Sequence, residues 1–156
     1  MFKDGRGPHG FEMIAVWQSQ IDSGRTWYTD SNGIELVQRE WVQGILDQMI
    51  PANYHPVTSM IGVKDDSTSM FVLNDRAQGG TSIKPGRVEL MFNRKTTAND
   101  NGGVSDAGNG QAMTGEVDAE FYLHLGTQNE QLDLRQLFKT LLRKSAEIAN
   151  PLQFFI

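Results

Sequence analysis

Short stretches of alternating apolar and polar residues, each bounded by turn-forming residues, recur along this chain and restrict it to antiparallel β architecture. The clearest is 87–93, where Val88, Leu90 and Phe92 fall on one face and Glu89, Met91 and Asn93 on the other. A second strand is predicted over 69–74, joined to the first by a long polar connection that contains Gly79 and Gly80. A further polar loop follows from 94 to 110. The loops concentrate the chemistry of this region: Asp75, Arg76 and Gln78 precede the first glycine pair, and Arg94, Lys95, Asn99 and Asp100 precede Gly102 and Gly103. Polar side chains held on loops by a β scaffold are a common form of binding site. Exposed hairpins carry the same residues, so pattern alone leaves both readings open.

The rest of the chain follows the same pattern. Residues 11–21 alternate imperfectly, with Phe11, Met13, Ala15 and Trp17 on one side, as in a strand with two partly apolar faces inside a sandwich. Asp22-Ser23-Gly24 is turn chemistry. A hairpin is predicted from 26–29 and 34–39 around Asp30-Ser31-Asn32-Gly33, in which Asp30 and Asn32 serve the turn itself. Residues 40–50 are ambiguous, because Trp41, Ile45, Leu46 and Met49 have helical spacing interrupted by Gly44. His55, beside Pro56, reads as a loop or edge residue. Residues 59–64 read as a strand and Asp65-Asp66-Ser67 as a turn. Residues 99–115, rich in Gly, Asn, Asp and Ser, read as a mobile loop or one ordered by a partner.

Residues 119–125 form a predicted strand with Phe121, Leu123 and Leu125 on one face and Tyr122 and His124 on the other. His124 is then a surface or sheet-face residue. The helical signal comes late: Leu134, Leu137, Phe138, Leu141, Leu142 and Ile148 make one stripe, with Arg135, Lys139, Arg143 and Lys144 on the solvated face. Asp133 with Gln136 fits a capping box, and Asn150-Pro151 fits the stop. The apolar segment 152–156 must dock as an edge strand or against another surface. The fold expected is a mainly β antiparallel sandwich with one C-terminal α-helix, a single domain over 11–156 preceded by a tag or linker over 1–10.

Composition narrows the function classes. With 156 residues, 38% hydrophobic and 21% charged, the chain is globular and long enough to bury a core. Its 19 acidic and 14 basic residues give a net charge of −5, a poor match for phosphate backbones, so no nucleic-acid partner is expected. No apolar run approaches the roughly 20 residues that span a bilayer, so no membrane partner is expected either. Residues 1–10 lack an apolar core, so no signal peptide is read there. The absence of cysteine excludes disulfides and thiolate metal sites, and no Asn-x-Ser/Thr acceptor is present. His9, His55 and His124 are far apart and none has a second ligand at strand or helical spacing, so no metal site is expected in this chain. No nucleophile elbow supports a Ser–His–Asp arrangement, and Gly79-Gly80 lies between strands rather than opening a helix. Asp65, Asp66, Asp75, Glu89 and Asp100 could supply a carboxylate pair, but spacing selects no two of them.

Five phrases, in order, carry a resemblance. Residues 21–33 (IDSGRTWYTDSNG), 52–57 (ANYHPV), 72–82 (VLNDRAQGGTS), 87–104 (RVELMFNRKTTANDNGGV) and 147–156 (EIANPLQFFI) are similar to successive segments of the C-terminal β region of the glycoside hydrolase family 38 α-mannosidases. The second phrase has His55 where the family has a second Tyr. The resemblance implies a β-supersandwich belonging to a zinc-dependent, retaining hydrolase of α-mannosides. Its two catalytic carboxylates would stand about 5 Å apart. It further implies that the zinc ligands and the nucleophile lie in an N-terminal catalytic domain outside these residues, so no catalytic residue is carried over. A lysosomal, Golgi or secretory setting is implied as well.

What the resemblance carries over is a set of substrate-contact candidates: Asp75, Arg76, Arg94, Asn99 and Asp100. In the family's Asp-Asp-x-Arg-Gly loop the Arg contacts substrate. Here Asp100 matches, Asn99 replaces the first Asp, and Gly102 replaces the Arg, which removes a charged hydrogen-bond donor. Asp75, Arg76 and Arg94 match, in a role of substrate contact or of hairpin register. Two other readings remain open from the residues: a stand-alone carbohydrate-binding module with Trp27, Tyr28 or Tyr54 as platforms, and a structural domain whose apolar tail is covered by a partner. Core packing is the competing role for those aromatics.

Overall fold

The computed structural model describes residues 11–42, 51–95, 118–127 and 134–149. Residues 1–10, the ambiguous part of 40–50 beyond Val42, the loop carrying Asn99 and Asp100, the capping Asp133 and the segment 150–156 lie outside them.

Among the described residues, nine strands and one long helix form three layers. The strands are β1 (Phe11–Gln18), β2 (Thr26–Ser31), β3 (Glu35–Glu40), β4 (His55–Val57), β5 (Met60–Lys64), β6 (Thr68–Asn74), β7 (Gln78–Thr81), β8 (Arg87–Lys95) and β9 (Phe121–Thr127). A 3-10 turn, Pro51–Asn53, precedes β4, and α1 spans Leu134–Ala149. A four-stranded sheet has the order β1-β8-β7-β4 and a five-stranded sheet the order β3-β2-β5-β6-β9. Every pairing is antiparallel. The mainly β sandwich with one helix is therefore the observed fold.

The two apolar faces of the five-stranded sheet explain the layering. Trp27, Ile61, Val63, Met70 and Val72 meet Val57, Val88 and Leu90 of the opposite sheet in one core. Their neighbours one residue along each strand, Tyr28, Met60, Phe71 and Leu73, point the other way and receive Leu137, Phe138 and Leu141 of α1. Period two in the strands and the three-four stripe of the helix thus match face to face. Between the paired Ser31 and Glu35 the chain turns through Asn32 and Gly33, both left-handed with φ of 51° and 69°, and the Ile34 N–H donates to the Ser31 carbonyl at 2.9 Å.

Two expectations are corrected. First, the connection between 74 and 87 contains a strand: β7 pairs with both β4 and β8. Second, β6 and β8 belong to opposite sheets and are not arms of one hairpin. Glycine explains the hidden strand, because a Cβ at Gly80 would stand 2.8 Å from Val57 Cγ2 and 3.0 Å from the Glu89 carbonyl oxygen. The strand expected within 11–21 is present as β1, at the edge of the four-stranded sheet. Its register with β8 shifts between Met13 and Ile14, and Met13, Ile14 and Val16 are exposed. Among the described residues no helix is long and apolar enough to cross a membrane.

Candidate functional site

The polar chemistry of the described residues gathers where β6 hands over to β7. Asn74, the last residue of β6, is 2% exposed. Its backbone N–H donates to the Ser59 carbonyl at 3.0 Å, and its amide nitrogen donates to the Thr58 carbonyl at 3.3 Å and to the Arg76 carbonyl. Asp30, at 2% exposure, grips the same crossover from the other side. Its Oδ1 accepts from the backbone N–H groups of Thr58, Ser59 and Met60 at 3.0, 2.9 and 3.2 Å, and its Oδ2 accepts from Gly33 at 3.1 Å. The turn role read for Asp30 is therefore real but minor: its main partners lie 28–30 residues away, at the point where the chain passes from one sheet to the other.

Asp75 and Arg76 follow directly. The carboxylate receives both Arg76 Nε at 2.9 Å and Arg76 Nη2 at 2.7 Å, a bidentate fork. The pair reaches across 42–45 residues: Arg76 Nη2 also donates to the Asp118 carbonyl, and Asp75 Oδ2 accepts from the Glu120 N–H at 3.2 Å. It thereby ties the three residues leading into β9 to the end of β6. The side-chain bonds from Arg76, then the Glu120 N–H, hold the Asp75 carboxyl below its ordinary range. Arg94 lies on β8 opposite Glu12 of β1, near the same end of the sandwich, where Phe121 of β9 meets Phe92 of β8 and Trp17 of β1. Asn99 and Asp100 lie outside the described residues.

A second polar group lies on the outer face of the four-stranded sheet. Glu89, assigned by alternation to the polar face, is 4% exposed and pairs with Arg87 Nε at 2.6 Å. Tyr54 packs over Gly79, where a Cβ would come within 3.4 Å of the ring. Burial first, then Glu89 and Glu12, raise its hydroxyl pKa, opposed by Arg87. Single-sequence reading missed the burial of Asp30, Asn74 and Glu89, and nothing local in their sequence marks it. The proposed platforms Trp27 and Tyr28 are 0% and 6% exposed, so they are core residues. His55 sits on the edge strand β4 against Trp27, its rings' centroids 5.4 Å apart, and burial lowers its pKa. His124 faces α1, its Nδ1 3.5 Å from Lys144 Nζ. Among the described residues no group of three or more His, Cys, Asp or Glu is placed to hold a metal ion.

A family model, "Glycosyl hydrolases family 38 C-terminal domain", matches residues 9–102. The chain belongs to this family. All five candidate residues of the family 38 domain fall within the matched stretch, whereas β9 and α1 lie past it. Relatives include the lysosomal alpha-mannosidase of Cavia porcellus, 35% identical over 129 residues, covering 78% of this chain and 12% of that protein. The alpha-mannosidase of Canavalia ensiformis is 37% identical over 103 residues, 62% of this chain and 10% of the relative. The Homo sapiens lysosomal alpha-mannosidase is 36% identical over 105 residues, with the same two shares. The chain spans about a tenth of the length of these relatives.

The carboxylates give the family 38 domain a defined acid response. Asp65 lies well below its ordinary range, because the N–H groups of Ser67 and Thr68 donate to its Oδ1, each at 2.7 Å. Asp75 is lowered too. With the folded pKa below the unfolded value of about 3.9, the unfolded chain binds more protons in between. Their stabilisation is therefore complete above about pH 5 and lost as pH falls through the folded values. Melting temperature measured from pH 7 to 2 is expected to fall below about pH 4, and to fall less steeply for Asp65→Asn. Equal slopes would contradict this account of Asp65.

Proposed function

We propose that this chain is the C-terminal β-sandwich portion of a retaining, zinc-dependent α-mannosidase, and that it supports an active site whose catalytic residues lie in an N-terminal domain outside these 156 residues. The observation that carries the reading is the family match over 9–102, joined to relatives named α-mannosidases that are far longer than this chain. The reaction is hydrolysis of an α-mannoside by two carboxylates about 5 Å apart, one attacking the anomeric carbon and one moving the proton. Zinc belongs to the absent domain and would supply Lewis-acid polarisation there. Asp75 and Arg76, with Asn99, Asp100 and Arg94, are the residues assigned to the substrate side of this domain. The bidentate pair already spends its hydrogen bonds on the backbone before β9, so its part is to position that segment rather than to bind sugar directly. The partners are the N-terminal catalytic domain and the mannoside, and the compartment is lysosomal or of secretory type.

The purified 156-residue chain is expected to release no product from a chromogenic α-mannoside, either with added zinc or with a chelator. Zinc-dependent turnover by the pure chain would place a catalytic site within these residues and overturn the division of labour.

A further inference from the structure

At the tip of the β2–β3 connection the backbone stands next to a side chain with which it can react. The amide nitrogen of the residue after an Asn can attack the Asn side-chain carbonyl carbon, and glycine presents that nitrogen with no Cβ to crowd the approach. Among the described residues Asn32 is the one Asn followed by Gly, and it is exposed, so water and base reach it. Solvent base takes the proton from Gly33 N, and the nitrogen bonds to Asn32 Cγ. The Cγ–Nδ2 bond then breaks, ammonia leaves with a proton, and a five-membered succinimide remains. Water opens that ring. Entry at the side-chain carbonyl leaves an aspartyl residue at position 32, and entry at the main-chain carbonyl leaves an isoaspartyl residue. One water is consumed and one ammonia released in either case.

The fold opposes the first step. The Gly33 N–H donates to Asp30 Oδ2 at 3.1 Å, and Asp30 is only 2% exposed. Removing the proton breaks a hydrogen bond to a carboxylate and sets a second negative charge against it, where water screens little. The carboxylate is also fixed in place. Its Oδ1 accepts the N–H groups of Thr58, Ser59 and Met60, so it does not swing aside with the turn. The Ile34 N–H closes the same turn on the Ser31 carbonyl at 2.9 Å.

We propose that Asn32 is a site of slow self-modification, deamidation through Gly33, and that the buried Asp30 carboxylate is the group that restrains it. The proposal is independent of the mannosidase reading. An isoaspartyl product adds a backbone atom inside the turn that holds Gly33 on Asp30, so the modified chain is expected to melt lower. Tandem mass spectrometry follows position 32 in the full chain at neutral pH, well below the melting transition. The comparison is the free peptide of residues 28–36, which carries Asp30, Asn32 and Gly33 without the fold. The chain is expected to react at least about tenfold more slowly than the peptide.

Asp30→Asn keeps an acceptor oxygen but removes the charge, and is expected to raise the rate at position 32 about fivefold or more. Gly62→Ala, which strains the sheet far from this turn in sequence, is expected to leave the rate unchanged and so separates local restraint from general loss of stability. Equal rates in chain and peptide would overturn the proposal. So would an Asp30→Asn rate no faster than that of the parent chain, or one matched by Gly62→Ala. A position 32 that stays unmodified in both the parent and Asp30→Asn would overturn it as well.

Discussion

Asp30→Ala is expected to cost about 3–5 kcal/mol of stability, the largest effect of any single substitution considered for this domain. The carboxylate is 2% exposed and accepts four backbone N–H groups, three of them in the crossover between β4 and β5. Removing the side chain takes that acceptor away from all four donors, and each buried donor left unsatisfied costs about 1–3 kcal/mol. The Met60 N–H is the most deeply placed of them, since Met60 is fully buried. Part of the loss is regained if water enters the Thr58 and Ser59 side, which keeps the total below the simple sum. For a domain of this size the melting temperature should fall by roughly 10 °C. Asp30→Asn, which keeps one acceptor oxygen, should lie between the two. Thermal or denaturant unfolding checks both, and a loss under about 1 kcal/mol for the alanine variant would sink the idea that this carboxylate organises the crossover.

Gly62→Ala is the second large effect. Gly62 is paired with Phe71 across β5 and β6, and a Cβ there would fall inside the contact distance of three atoms of the Phe71 ring. That ring is fully buried between the sheet and α1, in contact distance of Tyr28 with centroids 6.3 Å apart. The ring packs in one cluster with Leu137, Phe138 and Leu141, so the added methyl pushes it toward the helix. Overpacking of this kind costs about 1–3 kcal/mol, and the approach to within 2.6 Å of a fully buried ring puts the expected value near the top of that range. The paired variant Gly62→Ala/Phe71→Leu makes room and should recover a good part of the loss. Denaturant midpoints for the single and double variants decide the matter. Equal destabilisation of both would mean that the ring is not what excludes the methyl.

Strand periodicity, turns and the helix stripe were all legible in the residues, because each is set by neighbours within a few positions. Val88 and Leu90 point inward as alternation requires, Asn32-Gly33 makes the turn its backbone freedom favours, and Leu137, Phe138 and Leu141 face the sheet. The family phrases added the mannosidase relationship, which no periodicity could supply. Tertiary structure decided the rest. Whether β6 and β8 share a sheet depends on partners far along the chain, and the alternation is the same in either case. Strand β7 is too short and too glycine-rich to announce itself, and it exists because its flanking strands close on the space its missing side chains leave. Asp30, Asn74, Asp75 and Glu89 look like ordinary surface or turn residues in the sequence. What fixes their roles is a set of donors and cations, most of them more than ten residues away, and only the folded chain brings those within hydrogen-bond reach.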